Sequence, residues 1–201
     1  MTDRPRIWCL HRLPRTVEAR LEAEFDVEWN RDDEFDGLLT TVTDPVPAAV
    51  FRAAGRRVRI VANFGVGVDR IDLAAARSAG VVVTNTPGVL TDCTADLTLA
   101  LILMTLRRLG EGERLLRRGQ WTGWRPTHHL GRRVSGRTLG IIGMGRIGQA
   151  VAARARHGFN MSILYASRTP LAPEVAARLG AVRCEVDQLL ERAEIVSLHL
   201  P

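Results

Sequence analysis

The stretch TLGIIGMGRIGQAVAARA, residues 138–155, decides the fold. A short apolar strand, Thr138 to Ile142, runs into three glycines, Gly143, Gly145 and Gly148, and then into a helix with apolar residues on one side. A GxGxxG triplet alone is weak evidence. Between a strand and a helix it has the context of a dinucleotide-binding turn. Gly143 permits the tight turn, Gly145 lets the backbone approach a pyrophosphate, and Gly148 lets the helix pack closely on its strand. Free backbone N–H groups near Arg146 and Ile147 would then face the phosphates, assisted by the helix dipole. The competing reading is a glycine-rich turn with no ligand.

Working outward, the next strand, Met161 to Ala166, ends in YASRT. A ribose-binding Asp or Glu is expected about twenty residues beyond the last motif glycine. Arg168 stands there instead, flanked by Ser167 and Thr169, with no carboxylate between Asn160 and Pro173. A guanidinium and two hydroxyls suit a 2′-phosphate, which a carboxylate would repel. NADP(H) is therefore the expected cofactor, with NAD(H) possible. A plain surface Arg after a strand is the alternative.

The same alternation extends through the chain. Strands are expected at 6–10, 25–29, 37–42, 58–63, 81–84, 138–142, 161–166, 181–183 and 195–198. Helices are expected at 13–24, 47–54, after Asp72 up to Gly80, from Thr91 or Asp92 to about Leu109, and at 147–157, 173–179 and 186–192. Gly110 and Gly112 weaken the far end of the long helix. Strand–helix alternation implies an α/β protein with mostly parallel sheets. The domain boundary is expected in the long helix, giving a substrate domain at 1–98 and a dinucleotide-binding domain at 99–201.

Composition excludes several classes. The 201 residues are 46% hydrophobic and 25% charged, the balance of a folded globular protein rather than a disordered one. The longest apolar run, Leu97 to Leu106, is far short of the ~20 residues of a membrane helix. No apolar stretch follows the basic N-terminus, so no secretory signal is expected. All 28 basic residues are Arg, which points to genome composition more than to a selected polyanion surface. Nine Arg lie within 107–137, but no aromatic stacking platform accompanies them, so no nucleic-acid partner is expected. Cys9, Cys93 and Cys184 have no metal or redox spacing, and reduced thiols in a cytoplasmic protein are the default. The His residues show no ligand spacing, and no metal is expected.

Four collinear segments, NFGVGVDRIDL, TNTPGVLTDCTADLTLALIL, GQWTGWRPTHHLG and TLGIIGMGRIGQAVAARA, resemble the D-isomer-specific 2-hydroxyacid dehydrogenases. The WTGWRP loop and the YASRT ending look most like the glyoxylate/hydroxypyruvate reductase branch. The resemblance implies a flavodoxin-like N-terminal substrate domain followed by a Rossmann domain. It implies that Val66 and Gly67 hold the substrate carboxylate through backbone N–H groups, and that Thr94, His199 and Pro201 lie along the cofactor. Trp124, with Trp121, would join a homodimer interface and reach the partner's substrate. Cys93 is read as a small buried side chain. The activity implied is NADPH-preferring reduction of a small 2-oxo acid. The family's catalytic Arg, Glu and His would follow the last strand, beyond Pro201, so no catalytic residue is expected within the chain, and the Rossmann domain is expected to be an incomplete, truncated part. A catalytically inactive fragment or a nucleotide-binding interaction protein on the same fold stays open as the alternative.

Overall fold

A computed structural model describes residues 4–29, 34–52 and 57–200. Pro201 lies outside the described residues, as do positions 53 and 54 of the expected second helix. The chain parts into two compact units between Gly88 and Val89.

The first unit contains β1 (Arg6–Cys9), α1 (Arg15–Glu24), β2 (Asp26–Trp29), β3 (Gly37–Thr41), α2 (Ala48–Arg52), β4 (Ile60–Phe64), α3 (Leu73–Ser78) and β5 (Val82–Thr84). The five strands are all parallel, in the order β2-β1-β3-β4-β5. That is the flavodoxin-like 2-1-3-4-5 order. Leu38 and Val61 on the sheet pack with Phe35, Val46, Ile71, Ala76 and Val81. Asp72 caps α3, its Oδ1 accepting from the Ala75 N–H at 2.9 Å, and Gly80 follows at φ 68°.

At the carboxyl end of this sheet, Asp44 ties down the turn after β3. It accepts from the Thr41 N–H at 2.7 Å and the Thr41 hydroxyl at 2.8 Å, and it meets His11 Nε2 at 2.7 Å. Burial pushes its carboxyl upward, but the hydrogen bonds from His11 and Thr41 outweigh this and hold it below the usual range.

The second unit contains α4 (Thr91–Leu106), α5 (Leu109–Arg117), β6 (Thr138–Ile142), α6 (Arg146–Phe159), β7 (Ser162–Ala166), α7 (Pro173–Leu179), β8 (Ala181–Arg183), α8 (Val186–Arg192) and β9 (Ile195–Leu198). Its strands are parallel in the order β8-β7-β6-β9. Numbered within the unit this is 3-2-1-4, the first four strands of the Rossmann arrangement. Alternation divides the sheet's two faces. Leu139, Ile141, Ile163 and Tyr165 pack against Val151, Ala152 and Ala155 of α6 and against Ala95, Leu99 and Ile102 of α4. Leu164 and Ala166 pack with Leu189 of α8. Gly140 admits α8, since a Cβ there would lie 2.4 Å from Leu189 Cδ2.

One expectation needs adjustment. The helix expected to run to about Leu109 ends at Leu106, and a separate helix, α5, follows a left-handed Arg108 at φ 55°. The cause is tertiary. The returning strand of chain docks on the end of α4, with the Arg132 N–H donating to the Leu106 carbonyl at 2.7 Å and Arg108 Nη1 to the Leu130 carbonyl at 3.1 Å. Gly112 is a close-packing site: a Cβ would lie 2.9 Å from His129 Nε2. The compact units part between Gly88 and Val89, and α4 joins the second core from Ala95 onward.

Candidate dinucleotide and carboxylate sites

The turn between β6 and α6 uses its three glycines for different reasons. Gly143 sits at φ 98°, and a Cβ on it would lie 2.3 Å from the carbonyl oxygen of His199. A Cβ on Gly148 would lie 2.3 Å from the carbonyl oxygen of Gly143. Both are dictated by the chain's own packing. Gly145 is not: its φ is −77°, and nothing lies within 4 Å of where its Cβ would stand. Gly145 is also the N-cap of α6, and no side chain caps that helix. The first-turn N–H groups, at Arg146 and Ile147 among others, have no partner within the helix. A cradle with bare backbone, free donors and the positive end of a 14-residue helix fits a pyrophosphate. Gln149 Nε2 donates to the Met144 carbonyl at 3.1 Å and steadies the turn.

The end of β7 lies beside this turn, the Ala166 carbonyl accepting from the Gly143 N–H at 2.9 Å. Arg168 is exposed and has no partner among the described residues. The Ser167 hydroxyl donates to the Thr169 carbonyl at 2.6 Å, leaving the Arg168 guanidinium and the Thr169 hydroxyl as the uncommitted donors among the described residues. A second guanidinium was not anticipated. Arg183 ends β8 and donates from Nη2 to the Ser167 carbonyl at 3.1 Å.

On the other side, β9 brings His199 to the turn. Its N–H donates to the Ile142 carbonyl at 2.8 Å, and its Nε2 lies 2.9 Å from Ser197 Oγ. Burial pushes the imidazole below its ordinary range, which favours the neutral ring. Thr94 lies half-buried in the first turn of α4. Arg154 of α6 grips the first two turns of α4, donating to Asp92 at 2.9 Å and Asp96 at 2.6 Å, another contact that spacing does not reveal. Cys93 is exposed, contrary to the buried reading: the helix turns it away from the face that buries Ala95 and Leu99.

In the first unit, β4 runs into the Gly65-Val66-Gly67 turn at the sheet's carboxyl end. Gly65 is forced by packing, since a Cβ would meet Val42 Cγ1 at 2.1 Å. The N–H groups of Val66 and Gly67 have no partner among the described residues. Small residues with free backbone donors suit an anion. Trp124 lies elsewhere, on the loop after α5, and is 78% exposed, while Trp121 stacks on His128 with ring centroids 5.2 Å apart. Among the described residues no group of three or more His, Cys, Asp or Glu is placed to hold a metal, and no helix is long and apolar enough to cross a membrane.

A 3-2-1-4 parallel sheet whose first strand enters an uncapped glycine turn defines a Rossmann-type nucleotide-binding domain. Residues 99–201 match the family model described as D-isomer specific 2-hydroxyacid dehydrogenase, NAD binding domain, and the chain belongs to that family. It is 41% identical to a glyoxylate reductase of Korarchaeum cryptofilum over 98% of its own length and 63% of the relative's. Against a glyoxylate reductase of Pyrococcus horikoshii it is 42% identical, over 98% of this chain and 64% of that one. Among solved structures, a 2-hydroxyacid dehydrogenase from Ketogulonicigenium vulgare Y25 matches with a TM-score of 0.84 and 32% identity, covering 99% of this chain and 64% of that one. A glyoxylate reductase from Paecilomyes thermophila matches with a TM-score of 0.80 and 27% identity, over 99% and 66%. The chain thus spans just under two thirds of the length of the curated relatives it matches.

Proposed function

We propose that the chain carries the cofactor- and carboxylate-binding parts of an oxidoreductase that reduces a small 2-oxo acid, glyoxylate or hydroxypyruvate, with NADPH preferred over NADH. The observation that carries this reading is Gly145: no internal contact requires a glycine there, and a pyrophosphate lying on bare backbone does. The bound dinucleotide supplies the hydride. Arg146 and Ile147 N–H groups hold its phosphates, with Thr94 and His199 beside it and Ser167, Arg168 and Thr169 at the adenosine end. The Val66 and Gly67 N–H groups hold the substrate carboxylate, which orients the carbonyl.

No proton donor is assigned among residues 1–201, and hydride transfer to a carbonyl needs one. For this chain alone the expected result is NADPH binding by calorimetry without glyoxylate-dependent loss of nicotinamide absorbance. Absence of NADPH binding overturns the reading. Robust turnover would make His199 the first suspect as the acid.

The reading includes a homodimer. Leu97, Leu101 and Met104 repeat along one side of α4 and are 60%, 54% and 45% exposed, and Trp124 stands out on the nearby loop in sequence. Such apolar surface is suited to burial against a second copy. Light-scattering chromatography should give a dimer, and Trp124→Ala or Leu101→Glu should shift it toward monomer with the helical content kept. A monomer across micromolar concentrations rules the dimer out. A cytoplasmic setting agrees with three free cysteines, of which Cys9 is inert because burial pushes its thiol up to about 11.

A further inference from the structure

Two asparagines that the proposed mechanism does not use converge on the carboxylate turn. Asn63, only 3% exposed, donates from Nδ2 to the Gly65 carbonyl at 3.3 Å and the Gly67 carbonyl at 2.8 Å. Asn85, exposed on the segment after β5, donates from Nδ2 to the Val66 carbonyl at 2.9 Å. The Thr86 N–H adds a bond to the Gly65 carbonyl at 2.9 Å. All three carbonyls of the turn are therefore held.

Holding a carbonyl also aims a donor. In a planar trans peptide the C=O of one residue and the N–H of the next point in opposite directions. Asn63 thus orients the planes that carry the Val66 and Val68 N–H groups, and Asn85 orients the plane that carries the Gly67 N–H. None of these three N–H groups has a partner among the described residues.

Asn63 holds this arrangement at a cost. Two carbonyls face its amide, so Nδ2 must point toward them. Its Oδ1 is then buried with no hydrogen-bond partner. An unsatisfied buried acceptor is destabilising, and an apolar residue of similar size would avoid it. The asparagine is accounted for by what its other end does to the turn.

We propose that Asn63 and Asn85 are positioning residues that aim the Val66 and Gly67 N–H groups at the substrate carboxylate. This rests on the carboxylate role of the turn proposed above. Asn85 is the cleaner probe, because it is exposed and makes one bond to the turn. The test titrates oxamate, a 2-oxo acid analogue, into the NADPH-saturated chain and follows backbone amide resonances. The wild type should show oxamate-dependent shifts at Val66 and Gly67. Asn85→Ala should keep its remaining spectrum and its NADPH affinity but bind oxamate about tenfold more weakly, the loss of one aimed donor. Asn85→Asp should lose as much near pH 7, where its carboxylate faces the Val66 carbonyl. It should recover as the pH is lowered toward the carboxylate range near 4, where the acid can donate again. A loss that comes from the substitution itself rather than from the bond to the Val66 carbonyl would show no such recovery. Wild-type affinity in both variants overturns the proposal and leaves the function standing. A wild type that binds NADPH yet shows no oxamate shift at Val66 or Gly67 removes the carboxylate role and the proposal together.

Discussion

Gly143→Ala and Gly145→Ala, two residues apart, should fail in opposite ways. Gly143 lies at φ 98°, where a side chain is strained, and its Cβ would stand 2.3 Å from the His199 carbonyl oxygen, a backbone atom that cannot swing aside. Strain in such a region costs about 1–3 kcal/mol, and the clash adds to it. Against a total stability of about 5–15 kcal/mol, the expected result is a fall in Tm of roughly 10 °C or more, or failure to fold. Gly145 has an ordinary φ and open space, so alanine there should cost only about 0.5–1 kcal/mol as a poorer N-cap. Its methyl would stand where the pyrophosphate needs bare backbone, and NADPH affinity should fall at least about tenfold. Gly148→Ala should follow Gly143, since its Cβ meets the Gly143 carbonyl oxygen at 2.3 Å. Calorimetric melting separates stability from nucleotide titration. A Gly145→Ala protein that binds NADPH as the wild type does would place the phosphates elsewhere.

That contrast marks what spacing could convey. The motif predicts three glycines in three roles, and geometry separates the two that the fold requires from the one that it does not. Local signals served well where an element is terminated by its own residues. Pro173 opens α7 and a left-handed Gly180 closes it, so both ends were legible, and the β6, β8, α8 and β9 spans agree with the sequence reading. Both strand orders follow from the alternation and the family resemblance. What failed to show in spacing depends on contacts distant in sequence. The break at Arg108 is made by Leu130 and Arg132. Arg154 holds Asp92 and Asp96 from about sixty positions away, and Arg183 reaches Ser167 only because β8 pairs with β7. Gly110 and Gly112 read as weakening the far end of the long helix, yet both lie inside α5, and Gly112 makes room there for His129, a contact whose local signature is the same as that of a glycine ending a helix. Asn63 and Asn85 act through amides on backbone carbonyls, which no residue pattern announces.

Arg168→Ala should separate the two nicotinamide dinucleotides. The guanidinium is exposed and uncommitted, at the end of the strand after the glycine turn, where the discriminating ribose hydroxyl or phosphate is expected. A charge-assisted contact to a 2′-phosphate is worth about 1.5–3 kcal/mol, or roughly ten- to a hundredfold in affinity. NADPH binding should weaken by that factor while NADH binding changes little. Ser167 cannot take over the loss without giving up its bond to the Thr169 carbonyl. Arg183→Ala should weaken NADPH less, since that guanidinium already serves the Ser167 carbonyl. Arg168→Asp should go further and favour NADH, because a carboxylate accepts from the 2′-hydroxyl and repels a phosphate. Exposed charges are screened, so the wild-type advantage for NADPH should also shrink as ionic strength rises. Equal losses for both dinucleotides in Arg168→Ala would make the residue structural, and an advantage for NADPH that is insensitive to salt would point to a recognition site shielded from solvent rather than to this exposed arginine.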